Sequence, residues 1–509
     1  MRRAKDIEIA MKPRPQGTRL QRWLYEEIRA AILTGRLAPG ARLPATRDLA
    51  RQRNVSRGTV LAVFAQLEAE GYLNGAIGRG SFVASELPDR RPSPQNITES
   101  ELTNKSDLAE TRLNRQKITL SAGGVLLSRT PFKIERLAYP ARAFRSSQPD
   151  VSEFPFAIWA RISARQSRLS PRSMLATGDA CGFMPLREAI AEHLRSARGI
   201  VCSADNVLIT SSVQQVLDLS ARLLLDPGDE AWMEDPGYPG ARMILEAAGA
   251  KVVGVPVDSG GMEVAAGRAS APNARLAYVT AGRQSPLGYP LALDRRLALL
   301  AWANEAGAIA IEDDYDSEYR FEGSPLAAMK SLDDSGRVIY ASTFSKLLFP
   351  SLRLAYAVVP DQLVEPFSAA MSLTCRHTTL APQIVLHEFI AEGHFGRHVR
   401  RMRVIYGERA QALSHAADTY LAGLLRLPTI TTGLDSPAFL PEGSDDALVA
   451  RLTTEAGVEV RPLSFYAGKN TCPSGLLLGF SAVSSEEIEA GARTLAQVLE
   501  PVRKIQPWC

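Results

Sequence analysis

The sequence predicts two architectures in one chain: a small α+β winged helix-turn-helix at the N-terminus, and a large α/β body ending in a smaller α+β segment. Three observations predict this. Residues 1–87 hold 15 Lys/Arg against 8 Asp/Glu, while the remaining 422 residues carry a net −3. Two short helix-like periods joined by a tight turn lie within that basic start. From about residue 141, strand-like runs alternate with helix-like ones, a pattern that implies a mostly parallel sheet covered on both faces.

The chain has 509 residues, 45% apolar and 22% charged, and is long enough for more than one domain. A basic start on a mildly acidic body suits a polyanion partner for the first part only; an unstructured basic arm would give the same count. The five cysteines are widely spaced with no C-x-x-C pair, which suits a reducing cytoplasm better than disulfides or zinc. No apolar run approaches the ~18–20 residues of a membrane span, and the N-terminus lacks an apolar signal core.

Taken in order, residues 17–34 place Leu20, Leu24, Ile28 and Ile32 on one helical face, ended by Gly35 and Pro39-Gly40. Thr46 can cap a short helix ending near Arg51, Asn54-Val55 make a turn, and Ser56 caps a second helix with Val60, Val63, Phe64 and Leu67 inward. Tyr72-Leu73 and Ser81–Val83 read as the strands of a β-wing. Basic and hydroxyl residues fall where nucleic acid would lie. Arg47 starts the first short helix, Ser56, Arg57 and Thr59 start the second, and Arg79 with Gly80 forms the wing tip. The first turn of a recognition helix reaches base edges, and helix N-termini bind phosphate. Solvated arginines on a small helical subdomain are the bland alternative.

Residues 88–140 are polar, with early prolines and no sustained apolar period, and read as a flexible linker with one local strand at 123–127. Strand-like runs follow at 207–210, 251–256, 275–280, 308–312, 337–342 and 353–359, with helices at 213–225 and 294–307 between them. A long basic helix after about 385 and a terminal helix flank the smaller segment.

Ligands of such sheets sit beyond the carboxyl ends of the strands. Thr210-Ser211-Ser212 precedes a helix beginning at Val213, giving either an anion site or plain capping. Glu234–Pro239 is a rigid turn carrying Tyr238, which can stack on a planar ring or simply pack. Asp313 and Tyr315 alternate onto one face; a carboxylate and a phenol there can serve a pyridinium ring, and acidic turns can equally be solvated or hold a cation. Val338–Ser342 leads into Thr343-Phe344-Ser345-Lys346, with Arg353 seven residues on. A lysine among hydroxyls and apolar residues can lose its proton, as a Schiff-base lysine must; most lysines are ordinary surface charges.

The stretches LPATRDLA, VSRGTV, LEAEGYL and GRGSFV resemble the GntR class of bacterial winged-helix regulators over about the first 85 residues. The hydroxyl turn, PGYP, DDY and TFSK resemble fold-type I pyridoxal-phosphate enzymes, the aspartate aminotransferase-like superfamily. Both together resemble the MocR subfamily of regulators. The resemblance implies a winged helix over 1–87, a linker over 88–140 and an aminotransferase-like body over 141–509. It also implies pyridoxal 5'-phosphate as cofactor, with Lys346 as its Schiff-base residue, Asp313 on the ring nitrogen, Tyr315 on the ring hydroxyl and Tyr238 stacked. Ser212, Val213, Gln214, Thr343, Ser345 and Arg353 would hold the phosphate. Promoter DNA, a small amine or amino-acid effector and a head-to-tail homodimer are the implied partners, and no metal is called for. The alternative is a true aminotransferase carrying a DNA-binding module.

Three departures stand out. Ser212 occupies a position where glycine is usual. The loop Thr280–Gly288 keeps Gln284, Pro286 and Gly288 but has Arg283, Ser285 and Leu287. In Gly475–Phe480, Leu477 stands where aminotransferases place the arginine for a substrate carboxylate; Arg283 and Arg461 are the candidate replacements.

Overall fold

A computed structural model describes residues 13–15, 17–76, 80–88, 119–129, 140–169, 176, 178–323, 326–470 and 472–505. The chain forms two compact units, Met1–Ile118 and Thr119–Cys509.

In the first unit, α1 (Leu20–Leu33), α2 (Thr46–Gln52) and α3 (Arg57–Ala69) precede the strands β1 (Leu73–Ala76) and β2 (Gly80–Val83). Leu24 and Ile28 from α1, Leu49 from α2, and Val60, Val63, Phe64 and Leu67 from α3 form one core with Leu73 and Val83. Each such side chain contributes about 1.5–3 kcal/mol by leaving water. Ser56 caps α3, its hydroxyl accepting from the Thr59 amide at 3.0 Å. The turn before it passes through Asn54 at φ 49°, a conformation asparagine tolerates. Thr46 does not cap α2 as the sequence suggests: Ala45 holds the cap position and Thr46 is the first helical residue, with no side-chain cap. The wing strands are antiparallel with Leu73 opposite Val83, and Arg42 bridges to Phe82. Arg79 lies outside the described residues.

The second unit is built on β3 (Val207–Thr210), β4 (Glu230–Asp235), β5 (Lys251–Asp258), β6 (Gly261–Met262), β7 (Leu276–Val279), β8 (Ile309–Asp314), β9 (Val338–Thr343) and β10 (Ala355–Val358), in the order β3-β10-β9-β8-β7-β4-β5-β6. The β9-β8-β7-β4-β5 ribbon is parallel. β10 runs antiparallel to both neighbours; its link to β9 is shorter than the dozen or more residues that a parallel crossover needs. The strands expected from sequence are present within a few residues. β4 is an additional one, because only its end was legible as a turn. Leu208, Met233, Tyr278, Ile311 and Ile339 pack under helices 213–224, 239–247 and 361–375 on one face. Trp232, Ala277, Ala310 and Val338 pack under helix 293–306 on the other, where Trp232 and Trp302 stack at 3.7 Å.

The expected strand at 123–127 is instead part of a helix, Ala122–Ser128, capped by Ser121. Its Gly123 lies close to the Ala247 carbonyl, where a side chain would crowd it. Beyond the large sheet, the helix His394–Tyr420 leads to a three-stranded sheet of β11 (Asp435–Phe439), β12 (Arg461–Pro462) and β13 (Gly475–Gly479), in the order β11-β13-β12, and to a last helix, Ser485–Ile505. No helix among the described residues is long and apolar enough to cross a membrane.

Candidate lysine-centred site and nucleic-acid interface

The strand register gathers the candidate residues onto one rim. Ala355 at the start of β10 pairs with both Thr343 and Thr210. The turn after β3 and the turn after β9 are therefore two strands apart, with β10 between them. Asp314 at the end of β8 pairs with Ser342, so the acidic stretch comes alongside the lysine turn. Thr343 caps the four-residue helix Phe344–Leu347, its hydroxyl accepting from the Ser345 amide at 3.1 Å. This short helix turns Lys346 inward at the carboxyl end of β9.

Lys346 is half-buried and its ammonium donates to the Ser147 carbonyl. Burial pulls its pKa below the ordinary lysine range, against the raising pull of Asp435 and Asp316. Such lowering shifts a lysine toward its neutral, nucleophilic form. Asp313, 6% exposed, receives the Tyr278 hydroxyl on Oδ2 at 2.7 Å, while Oδ1 is buried with no hydrogen-bond partner. Burial pushes this carboxyl up to about 7.

Around these two groups runs an ionic network. Asp435 Oδ2 accepts from the Ser147 amide and hydroxyl, both at 2.9 Å. Its Oδ1 pairs with Arg283 at 3.0 Å, and Arg283 reaches Asp316 at 3.2 Å and the Tyr315 hydroxyl at 3.2 Å. The Tyr315 hydroxyl donates back to the Arg283 carbonyl at 3.1 Å. Arg283 is thus buried and held by two carboxylates. Ser147, Tyr278 and Asp435 were not singled out in the sequence. Tyr278 lies at a strand end like the other candidates, which was a usable signal, whereas Ser147 and Asp435 meet only through the fold.

Ser212 caps helix 213–224 through its own hydroxyl, which accepts from Gln215 at 3.3 Å. The amides of Val213 and Gln214 lie in the first turn, whose N–H groups have no intrahelical acceptor. Gln214 donates to the Tyr238 hydroxyl at 2.8 Å, and its Oε1 is buried without a partner. Tyr238 follows β4, half-buried, and feels the charges of Asp313 and Arg461. Ser345 is half-buried, and Arg353 is exposed at φ 52°. The phosphate candidates therefore lie on the turns after β3 and β9, with Arg353 exposed just before β10.

Leu477 is buried in β13 and pairs directly with Arg461 of β12. Arg461 is half-buried over the Phe465 ring at 4.8 Å, and among the described residues it forms no ion pair. Its charge works against protonation of Lys346, so it lies within electrostatic reach of the lysine.

In the N-terminal unit, Arg47, Ser56, Arg57 and Gly80 are exposed and Thr59 is half-buried. Gly80 takes φ 98°, and the Arg42 guanidinium lies within 3.3 Å of the position its missing Cβ would take.

Fold and sites define a nucleic-acid-reading head joined to an aminotransferase-type body. The bacterial regulatory protein gntR family matches residues 20–83, and the aminotransferase class I and II family matches residues 145–495. The chain is 37% identical to the probable rhizopine catabolism regulatory protein MocR of Rhizobium meliloti over 94% of this chain and 93% of that one. It is 28% identical to the pyridoxine biosynthesis transcriptional regulator PdxR of Corynebacterium glutamicum, over 94% and 95%. Among solved structures it resembles the α-aminoadipate aminotransferase LysN of Thermus thermophilus, complexed with N-(5'-phosphopyridoxyl)-L-leucine. That match has a TM-score of 0.65 at 28% identity, over 71% of this chain and 92% of that one. The chain belongs to the MocR subfamily of GntR-type transcriptional regulators.

Proposed function

We propose that the aminotransferase-type unit holds pyridoxal 5'-phosphate on Lys346 and reports a small amine, an amino acid or the cofactor itself to a DNA-bound head. The observation that carries this reading is Asp313 Oδ1, a buried carboxylate oxygen that accepts no hydrogen bond. A protonated ring nitrogen is the donor it lacks. When bound, the cofactor supplies an aldehyde that condenses with amines. Lys346, whose burial favours loss of its proton, is the amine placed to receive it. Tyr238, held by Gln214, is placed to cover the ring, and Tyr315 to meet its hydroxyl. The amides of Val213 and Gln214, with Ser212, Thr343, Ser345 and Arg353, are the phosphate contacts.

Arg461 is the effector contact of choice. Arg283 is already neutralised by Asp316 and Asp435, whereas Arg461 has no ion pair among the described residues and stands opposite Leu477. It suits an effector carboxylate. The protein acts as a head-to-tail homodimer on promoter DNA, with α3 in the major groove. There Arg57 reads a base edge, while Arg47, Ser56, Thr59, Arg79 and Gly80 lie against the backbone.

Spectroscopy tests this. Full-length protein mixed with pyridoxal 5'-phosphate should gain visible absorbance, and Lys346→Ala should not; a colourless wild type would refute the role of Lys346. A panel of amines and amino acids should then shift both the spectrum and the DNA affinity, the latter by about 5–150-fold, the usual span of allosteric coupling. Arg461→Ala should weaken the response to amino acids by about 1.5–3 kcal/mol, the worth of a charge-assisted hydrogen bond, and spare amines without a carboxylate. Sustained keto-acid production at enzyme-like rates would instead favour a working aminotransferase.

A further inference from the structure

The outward face of α3 carries an unexplained leucine. Val60, Val63, Phe64 and Leu67 supply its core contacts, yet Leu61 is 47% exposed. It follows Arg57 by four residues, so the two share a face and lie one turn apart. Glu68, exposed on the same face, is turned to the wing, where it accepts from the Ser81 hydroxyl at 3.2 Å; the other exposed residues of that face are Gly58, Ala62, Ala65 and Ala69. They are small enough for a close approach and too short to reach far. Beyond the first turn, Leu61 is therefore the side chain of this face with the reach to meet a base. Leucine offers no hydrogen bond. The apolar group on the floor of the major groove is the C5-methyl of thymine.

We infer that Leu61 is a specificity-determining residue that reads a thymine methyl next to the base contacted by Arg57. This rests on the placement of α3 in the major groove proposed above. It assigns the face a division of labour: Arg57 supplies charge and hydrogen bonds, and Leu61 supplies discrimination at a neighbouring base pair. Core packing does not require Leu61, and alanine is at least as good a helix former, so its truncation leaves the fold intact.

The test uses full-length protein and a DNA site selected by it from a random duplex pool. Each thymine of the half-site is replaced in turn by deoxyuridine, which removes only the methyl. One replacement should weaken wild-type binding about three- to fivefold, the worth of one methyl group withdrawn from water. Leu61→Ala should bind the thymine and uracil versions equally, while Arg57→Ala weakens both. Equal wild-type binding to every uracil version, or discrimination that survives Leu61→Ala, would overturn the assignment to Leu61. A pool with no enriched DNA would overturn the docking of α3 itself, a separate result.

Discussion

Asp313 shows at the residue scale what burial does to a carboxyl that is only half satisfied. Its carboxyl is buried, one oxygen is satisfied by Tyr278, and the other is left without a donor. Desolvation raises its pKa from 3.8 to about 7 in the folded chain. A carboxyl whose folded pKa is raised contributes stability that is fully present below 3.8 and is lost as pH rises through about 7. Asp313→Asn removes this titration. In cofactor-free protein, the melting temperature of the variant should therefore gain on wild type between about pH 4 and 7 and hold that gain above. Parallel thermal melts at several pH values check it; a constant offset across the range would mean that Asp313 is ionised throughout. The same substitution should weaken cofactor binding, since the amide cannot balance a protonated ring.

At the scale of elements, the turn after β4 ties the large sheet to the C-terminal segment. Asp235 accepts from the Gly468 amide at 2.6 Å, Lys469 at 2.9 Å and Asn470 at 3.0 Å, and the Gly237 amide donates to the Tyr466 carbonyl at 3.0 Å. Position 237 must be glycine, because a Cβ there would fall 2.1 Å from the Glu234 carbonyl. Arg461 lies just upstream of this clasp and is held by its pairing with Leu477 of β13. Asp235→Ala leaves three amides without their charged acceptor. It should cost about 2–3 kcal/mol, the upper range for hydrogen bonds to charged groups, read as a lower urea midpoint. An unchanged midpoint would show that solvent replaces the carboxylate without loss. The short connection from β9 to β10 works at the same scale: because β10 returns antiparallel, the lysine turn is held between two paired strands.

For the whole molecule, the division into two units assigns separate tasks. The head has its own core from Leu24 to Val83, and its basic residues give it the charge for DNA. Every cofactor candidate lies in the second unit. A fragment spanning residues 119–509 should therefore take up pyridoxal 5'-phosphate with the same visible absorbance as full-length protein, and should not bind the promoter. Gel filtration and an absorbance scan check the first claim, and a DNA titration the second. A fragment that is soluble but colourless would mean that the head helps build the site. DNA affinity of the full chain should fall steeply with added salt, because phosphate neutralisation releases counterions.

The sequence by itself determined the periodic elements and the local motifs. Helical and strand periods marked α1, α3 and most strands of the large sheet, since burial imposes them residue by residue. The lysine turn, the acidic strand end and the PGYP turn could be read because each is contiguous. β4 hides in the sequence: Glu230, Glu234 and Asp235 give it an acidic composition, and only the fold shows that Thr280 and the loop 468–470 satisfy two of those carboxylates. Helix 122–128 reads as a strand in sequence because two glycines weaken its helical propensity, while its packing against the 239–247 helix leaves no trace in the local pattern. Tertiary structure alone decided which arginine is ion-paired among the described residues. Arg283 and Arg461 are equivalent in sequence, but Asp435, 152 residues from Arg283, neutralises one and leaves the other. Ion pairing depends on distance in space, and no local pattern encodes it.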